Sequence, residues 1–267
     1  MKLKLSKMHV DLQEDVKEPV QYVLSDDANN IAVNDLIGKE ITVNFNGEIR
    51  CVKCDRKTNK SFGQGYCFPC FRSAPENAEC IIRPELCEAH LGKGRDVEWE
   101  LKHHNQSHVV YLALTNTVKV GVTRSTNVPG RWIDQGAWKT MILAEVPNRY
   151  LAGKIEVALK EFVTDKTNWQ RMLKNEQNLD IDLVEVKKDL VSKLEFDLQQ
   201  YISMDDDILE INFPVQKYPL KVKSINMDKE PVFTEKLVGV KGQYFIFDSQ
   251  RVINIRKYTG YIVDISF

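Results

Sequence analysis

Two short β-rich runs lie next to each other in the middle of the chain: VVYLAL at residues 109–114 and VKVGVT at residues 118–123. Their β-branched and aromatic side chains favour strands, and the polar TNT between them predicts a hairpin. A short helix should follow, because Asn127 is a good amino-terminal cap and Pro129 suits a first helical turn. Lys139–Val146 then predicts a third strand. This order of elements indicates a small α+β unit.

The chain after this unit changes from a helical to a strand-forming pattern. Apolar residues recur at helical spacing from Asn148, with Glu156 on the flank of the apolar stripe, and again over residues 180–202. Residues 208–267 instead contain short strand-like runs separated by glycines, which indicates a small barrel or sandwich. Near the amino terminus, an Asn-Gly pair at residues 46–47 lies between two alternating runs and predicts a second hairpin.

The elements group into four consecutive segments. They are amino-terminal β strands at residues 1–50, a Cys/His zinc-binding region at 51–108, an α+β unit with a helical extension at 109–204, and a β-rich module at 205–267 that the amino-terminal strands could complete. The predicted fold class is therefore α+β, with a zinc-knuckle loop region, an antiparallel sheet with flanking helices, and a barrel-like terminal module.

The overall composition excludes several classes of protein. With 43% apolar and 28% charged residues, the chain has the balance of a soluble globular protein. It shows neither the apolar core of a signal peptide nor a run of about 20 apolar residues, so we expect a cytoplasmic protein without a membrane partner. A net charge of −1 excludes a uniformly basic surface. Residues 109–171 nevertheless carry nine Lys and Arg against five Asp and Glu, which fits a phosphate-binding face or a solvated lysine surface.

Four of the six cysteines have the spacing of a metal site. Cys51-x2-Cys54 and Cys67-x2-Cys70 are separated by twelve residues, and each Cys-x2-Cys turn can present two sulfurs to one tetrahedral ion. This spacing predicts a structural zinc site with four thiolate ligands and no open position for water. The alternatives are reduced cysteines without a ligand role and a redox pair.

The remaining two cysteines indicate a second, less complete metal site. Cys80, Cys87 and His90 are separated by six and two residues, and these three ligands need a fourth. The candidates for the fourth ligand are Glu85, His103, His104 and His108. A second zinc ion is one interpretation of this stretch. Two buried thiols beside an exposed histidine, or an iron–sulfur cluster, are the others.

The central segment carries four features in a fixed order: VVY at residues 109–111, KVGVT at 119–123, Arg131 in the next helix and Glu156 in the long helix. Together they resemble a divergent GIY-YIG nuclease domain over about a quarter of the chain. The resemblance implies a small sheet with flanking helices. It also implies that Tyr111 positions or deprotonates water, Arg131 offsets charge at phosphorus, and Glu156 holds a divalent metal ion such as Mg²⁺.

The same residues allow an interpretation without catalysis. Lys119 stands where the second motif of GIY-YIG domains usually begins with Tyr, although several divergent relatives share a Lys-x-Gly form. In this interpretation Tyr111 is a half-buried strand aromatic, Arg131 a surface arginine, and Glu156 part of an exposed ion pair. Lys119, Arg124 and Arg131 would still offer positive charge to a nucleic-acid backbone.

Longer sequence motifs extend the comparison to nearly the whole chain. They are GYCFPCF at residues 65–71, RPELC at 83–87, RWIDQGA at 131–137, DKTNW at 165–169 and VKGQY at 240–244. With them the sequence resembles an uncharacterised bacterial family, domain of unknown function 2797. That resemblance implies a family but no activity.

Three functional hypotheses remain open. The first is a zinc-containing protein that binds nucleic acid through its GIY-YIG-like unit, with or without catalysis. The second is a metal-dependent endonuclease that uses Tyr111, Arg131 and Glu156. The third is a protein-interaction scaffold in which zinc only holds loops together. Magnesium-dependent nicking would identify the second, and salt-dependent binding to nucleic acid would separate the first from the third.

Overall fold

The structure is a computed structural model and describes residues 1–15 and 17–267. Its strands are β1 Lys2–Lys4, β2 His9–Asp11, β3 Gln21–Ser25, β4 Asn30–Ala32, β5 Glu40–Arg50, β6 Lys57–Thr58, β7 His108–Leu114, β8 Val118–Arg124, β9 Lys139–Val146, β10 Leu209–Glu210, β11 Lys223–Ser224, β12 Val232–Lys241, β13 Tyr244–Phe247, β14 Arg251–Asn254 and β15 Tyr261–Ser266. Its α-helices are α1 Phe68–Ser73, α2 Val97–His104, α3 Gly130–Asp134, α4 Arg149–Leu159, α5 Trp169–Leu173, α6 Leu183–Val191 and α7 Phe196–Gln199. Short 3-10 helices include Pro75–Asn77, Glu79–Ile81, Pro84–Leu86 and Ala89–Leu91.

The chain forms two compact units. The first combines Met1–Arg72 with Ile211–Phe267, and the second contains Ser73–Glu210. The four consecutive segments expected from the sequence are distributed over these two units, because amino-terminal and carboxyl-terminal strands belong to the same sheet. The mixture of several sheets with helices confirms the α+β class.

The first unit is built on a sheet of eight strands. Strand β5 lies inside it, with β15 on one side and β12 on the other, both antiparallel to β5. The path runs from β1 through β15, β5, β12, β13 and β14 to β11, and β6 pairs separately with β5. In the described residues the two end strands do not pair with each other, so the expected barrel is wrong and the sheet is open. A separate sheet of β2, β3 and β4 belongs to the same unit.

The Asn-Gly pair at residues 46–47 lies within β5 and not in a turn. Tyr261 of β15 pairs with Ile49 of β5, and Val263, two residues later, pairs with Phe45. The pairing thus moves by two residues on β15 but by four residues on β5. Gly47 has a φ of +88°, a backbone conformation that glycine adopts without strain. Because β5 is paired on both sides, the chain absorbs the extra residues in a bulge and continues as a strand, and the predicted hairpin is wrong.

The second unit contains a four-stranded sheet in the order β10-β9-β7-β8. All of its strand pairs are antiparallel. Strands β7 and β8 form the expected hairpin, and β9 spans the residues that the sequence predicts. The edge strand β10 comes from the far end of the unit, and the local pattern around residues 109–146 gave no sign of it.

Helix α4 packs on this sheet through a shared apolar core. The helix begins after Asn148, because the Asn148 side chain accepts a hydrogen bond from the Leu151 N–H at 3.0 Å. The core joins buried residues of β7, β8 and β9 with residues of α4 and α6, among them Val110, Leu112, Val120, Leu143, Ile155, Leu159, Leu183 and Leu190. This layer fixes α4, and with it Glu156, relative to the β7–β8 hairpin.

The helix expected over residues 180–202 is split in two. Helix α6 ends at Val191, and α7 begins at Phe196. The Gln199 side-chain amide donates hydrogen bonds to the carbonyl oxygens of Val191 at 3.4 Å and Leu194 at 2.8 Å. These bonds add a donor partner for carbonyl groups at the end of α6 and in the link that follows it, which supports the break.

Candidate functional site

One face of the β7–β8 hairpin carries Tyr111 and Lys119. Tyr111 pairs with Gly121 across the hairpin, and Ala113 pairs with Lys119. Because side chains alternate between faces along a strand and paired residues share a face, these four residues lie on the same face. Gly121 leaves the space that the tyrosine occupies, since a Cβ at this position would lie 2.6 Å from the Tyr111 hydroxyl.

The Tyr111 side chain is fully buried. Its ring contacts Trp132 of α3, with the ring centroids 5.9 Å apart, and its hydroxyl makes no hydrogen bond of good geometry. Burial raises the pKa of Tyr111, whereas the nearby Arg131 and Gln135 lower it. The Glu156 carboxylate adds to the increase. Tyr111 is therefore a neutral phenol next to a guanidinium group.

Lys119 is a buried lysine, with only 5% of its surface exposed. Its ammonium group donates a hydrogen bond to the Thr167 hydroxyl at 3.4 Å. The pKa of Lys119 falls to about 8, chiefly through burial and also through the charge of Arg131. The carboxylates of Glu156 and Asp165 oppose this shift. The lysine remains positively charged at neutral pH, but burial makes its charged form less favourable than it would be in water.

Glu156 supplies a carboxylate to the same region from α4. It is 8% exposed, and burial raises its pKa. Lys160 lies one helical turn further along α4, with its ammonium nitrogen 3.7 Å from a Glu156 oxygen. Lys160 also lies 3.5 Å from Asp165. The ion pair expected of an ordinary surface helix is therefore present, but its carboxylate is buried.

The structure brings together Tyr111, Lys119, Arg131 and Glu156, which we call the polar cluster. The charges of Arg131 and Glu156 shift the pKa values of both Tyr111 and Lys119, so Tyr111 and Lys119 each lie within electrostatic range of Arg131 and Glu156. Two cations beside a carboxylate and a phenol can bind an anion, and the carboxylate oxygens can also bind a divalent cation.

Arg124 lies outside the polar cluster. It is five residues beyond Lys119 on β8, so its side chain projects from the opposite face of the strand. Its guanidinium group instead donates to Nδ1 of His103 at 2.8 Å. Of the predicted nucleic-acid-binding residues, Lys119 and Arg131 belong to the cluster and Arg124 does not.

We expect Lys119→Met to stabilise the folded chain. Because the pKa of Lys119 is lower in the folded chain, about 8, than its ordinary value of 10.5, the positive charge destabilises the fold at neutral pH. Between these two values the folded state binds fewer protons than the unfolded state. The unfolding free energy of the wild type should therefore rise as the pH increases through this window. The variant should lack this rise and should be more stable at pH 7 by about 1–3 kcal/mol.

Urea unfolding at several pH values measures both effects. Lys154→Met is the matched control, because Lys154 is exposed on α4, and it should change the unfolding free energy by less than about 0.5 kcal/mol. A Lys119→Met protein that is less stable than the wild type at pH 7 would contradict the prediction.

The first unit contains a cluster of four cysteines, Cys51, Cys54, Cys67 and Cys70, with all ligand atoms within 4.8 Å of one another. The Sγ atoms of Cys54 and Cys67 are 3.8 Å apart. Two sulfurs bound to one tetrahedral zinc ion at about 2.3 Å would be about 3.8 Å apart. All six cysteines of the chain are free thiols. The four-cysteine cluster can therefore hold one metal ion, as the spacing predicts.

Backbone contacts bring the two halves of this cluster together. The N–H of Val52, in the first Cys-x2-Cys turn, donates to the carbonyl oxygen of Gly65 at 2.9 Å. Gly65 has a φ of +111°, and a Cβ there would lie 2.6 Å from Val52 Cγ1 and 2.9 Å from Thr259 Cγ2. Glycine is therefore required for the chain to return so close to the first turn.

The sulfurs of the four-cysteine cluster differ in acidity. Burial raises the pKa of Cys51, but backbone N–H groups of Cys67, Cys54 and Lys53 directed at its sulfur lower it to about 6 overall. The neighbouring sulfurs of Cys54 and Cys67 raise the pKa of Cys70 to about 12. The site thus stabilises at least one thiolate, the form of cysteine that binds metals.

The second unit contains a smaller cluster of Cys80, Cys87 and His104, all buried and with ligand atoms within 4.8 Å of one another. His104 Nδ1 lies 3.6 Å from the Cys87 sulfur and 3.8 Å from the Cys80 sulfur. His90 lies outside this cluster, and its ring stacks on Tyr150 with centroids 4.7 Å apart. The structure therefore pairs the two cysteines with His104 in place of the expected His90.

The other candidates for the fourth ligand lie elsewhere. Glu85 accepts a hydrogen bond from Arg83 at 3.2 Å, and the His103 ring contacts Trp99 with centroids 4.3 Å apart. His108 lies on β7, where burial lowers its pKa to about 4. Among the candidates proposed from the sequence, only His104 lies at the two sulfurs.

Sequence reasoning overlooked Glu100, Asp165 and Thr167. Glu100 precedes His104 by one helical turn, and this i, i+4 spacing in α2 was the signal that could have paired them. Asp165 and Thr167 belong to the DKTNW phrase and contact the polar cluster through Lys160 and Lys119 respectively. No periodic pattern marks these two residues, because they lie on an irregular segment.

Comparison with known proteins gives a family but no activity. The sequence matches a family model described as "Protein of unknown function (DUF2797)" over residues 38–263. No curated protein and no solved structure matches the chain. Within residues 1–15 and 17–267, no helix has the length and apolar character needed to cross a membrane.

Proposed function

The chain belongs to the DUF2797 family, a family of unknown function, and we propose that it is a zinc-containing protein that binds nucleic acid at the polar cluster. The second unit supplies the phosphate-binding groups in this proposal. The four-cysteine cluster of the first unit binds zinc in a structural role.

The observation that carries the proposal is the burial of opposite charges in the polar cluster. Lys119 and Glu156 are almost inaccessible to water, and their pKa values are shifted towards the neutral forms. Buried charges of this kind cost stability, and ligand-binding sites are where proteins typically keep them. Arg131 is half-buried beside them, and its planar guanidinium group can bind a phosphate through two hydrogen bonds.

The arrangement of elements supports the resemblance to GIY-YIG domains. An antiparallel hairpin carries Tyr111 and Lys119, the helix after it carries Arg131, and the helix after the third strand carries Glu156. This is the order that the resemblance implies. Lys119 takes the position where a second tyrosine is usual, and it brings a positive charge to the cluster.

Zinc is the metal that best suits the four-cysteine cluster. Four thiolates close to one another favour Zn²⁺ over hard cations such as Mg²⁺ and Ca²⁺, which prefer oxygen ligands. With four protein ligands the ion would have no open position for water, so its role would be to hold the loop of residues 51–70.

A second candidate function is metal-dependent cleavage of phosphodiesters. It is favoured by one observation: a phenol with an unsatisfied hydroxyl lies within electrostatic range of both a guanidinium group and a buried carboxylate. In this scheme Glu156 would hold Mg²⁺, Arg131 would offset charge at phosphorus, and Tyr111 would position the attacking water.

Nucleic-acid binding by the whole chain tests the proposal directly. Wild type and Arg131→Ala should be titrated with single- and double-stranded DNA and RNA at two or more salt concentrations. We expect Arg131→Ala to weaken binding about 10- to 100-fold, because a charged hydrogen bond contributes about 1.5–3 kcal/mol. It should also reduce the slope of log K against log salt concentration by about 1, because one phosphate contact is lost.

Two further variants separate the alternatives. Arg171→Ala removes one positive charge from an exposed residue paired with Glu176, so it controls for net charge and should bind nearly as the wild type does. Glu156→Gln should leave binding unchanged but abolish any Mg²⁺-dependent nicking. Binding without nicking would favour the first function over cleavage. Absence of wild-type binding at low salt would reject both and leave the scaffold hypothesis.

A further inference from the structure

We propose that Cys80, Cys87 and His104, with the Glu100 carboxylate beside them, form a second metal site that binds a borderline-soft divalent cation of the Zn²⁺ class. This site lies in the second unit and is separate from the four-cysteine cluster. It requires nothing of nucleic-acid binding, so it can be tested independently of the proposed function.

The spacing of the ligand atoms fits a tetrahedral ion. With Zn–S bonds of about 2.3 Å and Zn–N bonds of about 2.0–2.1 Å, a sulfur and a nitrogen on the same ion lie about 3.5 Å apart. His104 Nδ1 lies 3.6 Å from one sulfur and 3.8 Å from the other. All three side chains are buried, and two buried thiols beside an imidazole form the soft, nitrogen-containing ligand set that zinc prefers.

The Glu100 carboxylate lies beside these three ligands, outside the group whose ligand atoms all lie within 4.8 Å of one another. It is 2% exposed, and its Oε2 atom lies 3.7 Å from His104 Nδ1, the same nitrogen that faces the two sulfurs. Its Oε1 atom accepts a hydrogen bond from the Arg95 N–H at 2.8 Å, which fixes the orientation of the carboxylate. Gly94 makes room for it, because a Cβ at that position would lie 2.4 Å from the carboxylate. Buried carboxylates in proteins are typically paired with a cation or bound to a metal ion, which fits an ion at this cluster.

The site would organise a segment that has little regular structure of its own. Residues 75–91 contain four short 3-10 helices, which give few of the hydrogen bonds that a longer helix provides. Cys80 and Cys87 lie within this segment, and His104 lies at the end of α2. A shared ion would therefore tie the segment to α2.

The same segment packs on α4, which carries Glu156. The Arg149 guanidinium donates to the carbonyl oxygens of Cys80 and Ile81, each at 2.8 Å. Gly153 allows close approach, because a Cβ there would lie only 2.2 Å from the backbone nitrogen of Glu85. An ion at the second site would hold this segment in place against α4.

The test measures metal content in the full-length chain. Protein purified with zinc should contain two zinc ions per chain, and His104→Ala should contain one. His90→Ala is the matched control: it also removes an imidazole from this region, but the ring stacks on Tyr150 outside the cluster, so two ions should remain. One ion per chain in the wild type, or equal loss in both histidine variants, would overturn the proposal.

Cobalt substitution gives a second measurement that identifies the ligands. In a Cys67→Ser background only the proposed site should take up Co²⁺, with tetrahedral visible bands and about half the sulfur-to-cobalt charge-transfer intensity of a four-thiolate site. Adding Cys87→Ser removes one of the two sulfur ligands, so it should halve that charge-transfer intensity or abolish it. Octahedral cobalt bands without charge transfer would overturn the proposal.

Hydrogen exchange of the wild-type chain tests the proposal without any substitution, so the test does not depend on whether a variant folds. Removing zinc with a chelator should accelerate amide exchange in residues 75–91 as well as in the loop of residues 51–70. Acceleration confined to residues 51–70 would overturn the proposal, because the second segment would then not depend on a metal ion.

Discussion

Cys67→Ser should release the metal ion of the four-cysteine cluster. Cys67 is buried, and its sulfur lies 3.8 Å from that of Cys54, so serine removes a central ligand from the set. Losing an outer partner of a metal ligand already weakens binding 10- to 100-fold, and losing a ligand should weaken it by more than about 100-fold. Zinc content after dialysis and competition with a chromogenic chelator measure this change.

The damage should remain local to the loop of residues 51–70. Outside that loop the first unit has its own apolar core, so thermal unfolding of Cys67→Ser should remain cooperative. Ser61→Ala in the same loop is the matched control and should keep the full zinc content, because Ser61 is not a member of the cluster. Zinc content unchanged in Cys67→Ser, or loss of all cooperative unfolding, would contradict this account.

Gly153→Ala should destabilise the second unit by about 3 kcal/mol, near the upper end of the range for overpacked sites. The new methyl group would meet the backbone of Pro84 and Glu85 at 2.2–2.8 Å, and backbone cannot move aside as a flexible side chain can. In an ordinary helix interior the same substitution stabilises by about 1 kcal/mol. The expected effect therefore has the opposite sign to helix propensity.

Urea unfolding of the variant measures this effect. Lys154→Ala, on the next and exposed position of α4, is the control, and it should change the unfolding free energy by less than about 0.5 kcal/mol. A Gly153→Ala protein as stable as the wild type would mean that the helix and the 84–85 backbone are further apart than the structure has them.

The parts of the fold that depend on local pattern could be predicted from the sequence. Strand β9 has the predicted bounds, and β7 and β8 differ from the predicted runs by one residue each. Runs of β-branched residues specify strands locally, and a short polar link specifies a hairpin. The four-cysteine cluster was predictable for a similar reason, because each pair of ligands shares one short turn.

The parts that depend on distant pairing could not be predicted. The pair at residues 46–47 has the composition of a turn, but β5 is held on both sides by strands of residues 232–266, and these pairings outweigh the local signal. The choice of His104 over His90 likewise depends on the path of four 3-10 helices, which no periodicity reveals. Glu156 was identified, but its burial was not, because sequence placed it at the edge of the apolar stripe.

The discontinuous first unit imposes an order on folding as the chain leaves the ribosome. Thr42 of β5 pairs with Thr234 of β12, which is synthesised 192 residues later. The second unit is continuous from residue 73 to residue 210, so all of its strands have been synthesised before β12 and β15, the neighbours of β5 in the sheet. Domains fold as units during synthesis. The nascent chain therefore completes its second unit first, while most of β5 exposes unpaired edges that can pair with wrong strands until β12 and β15 have been synthesised.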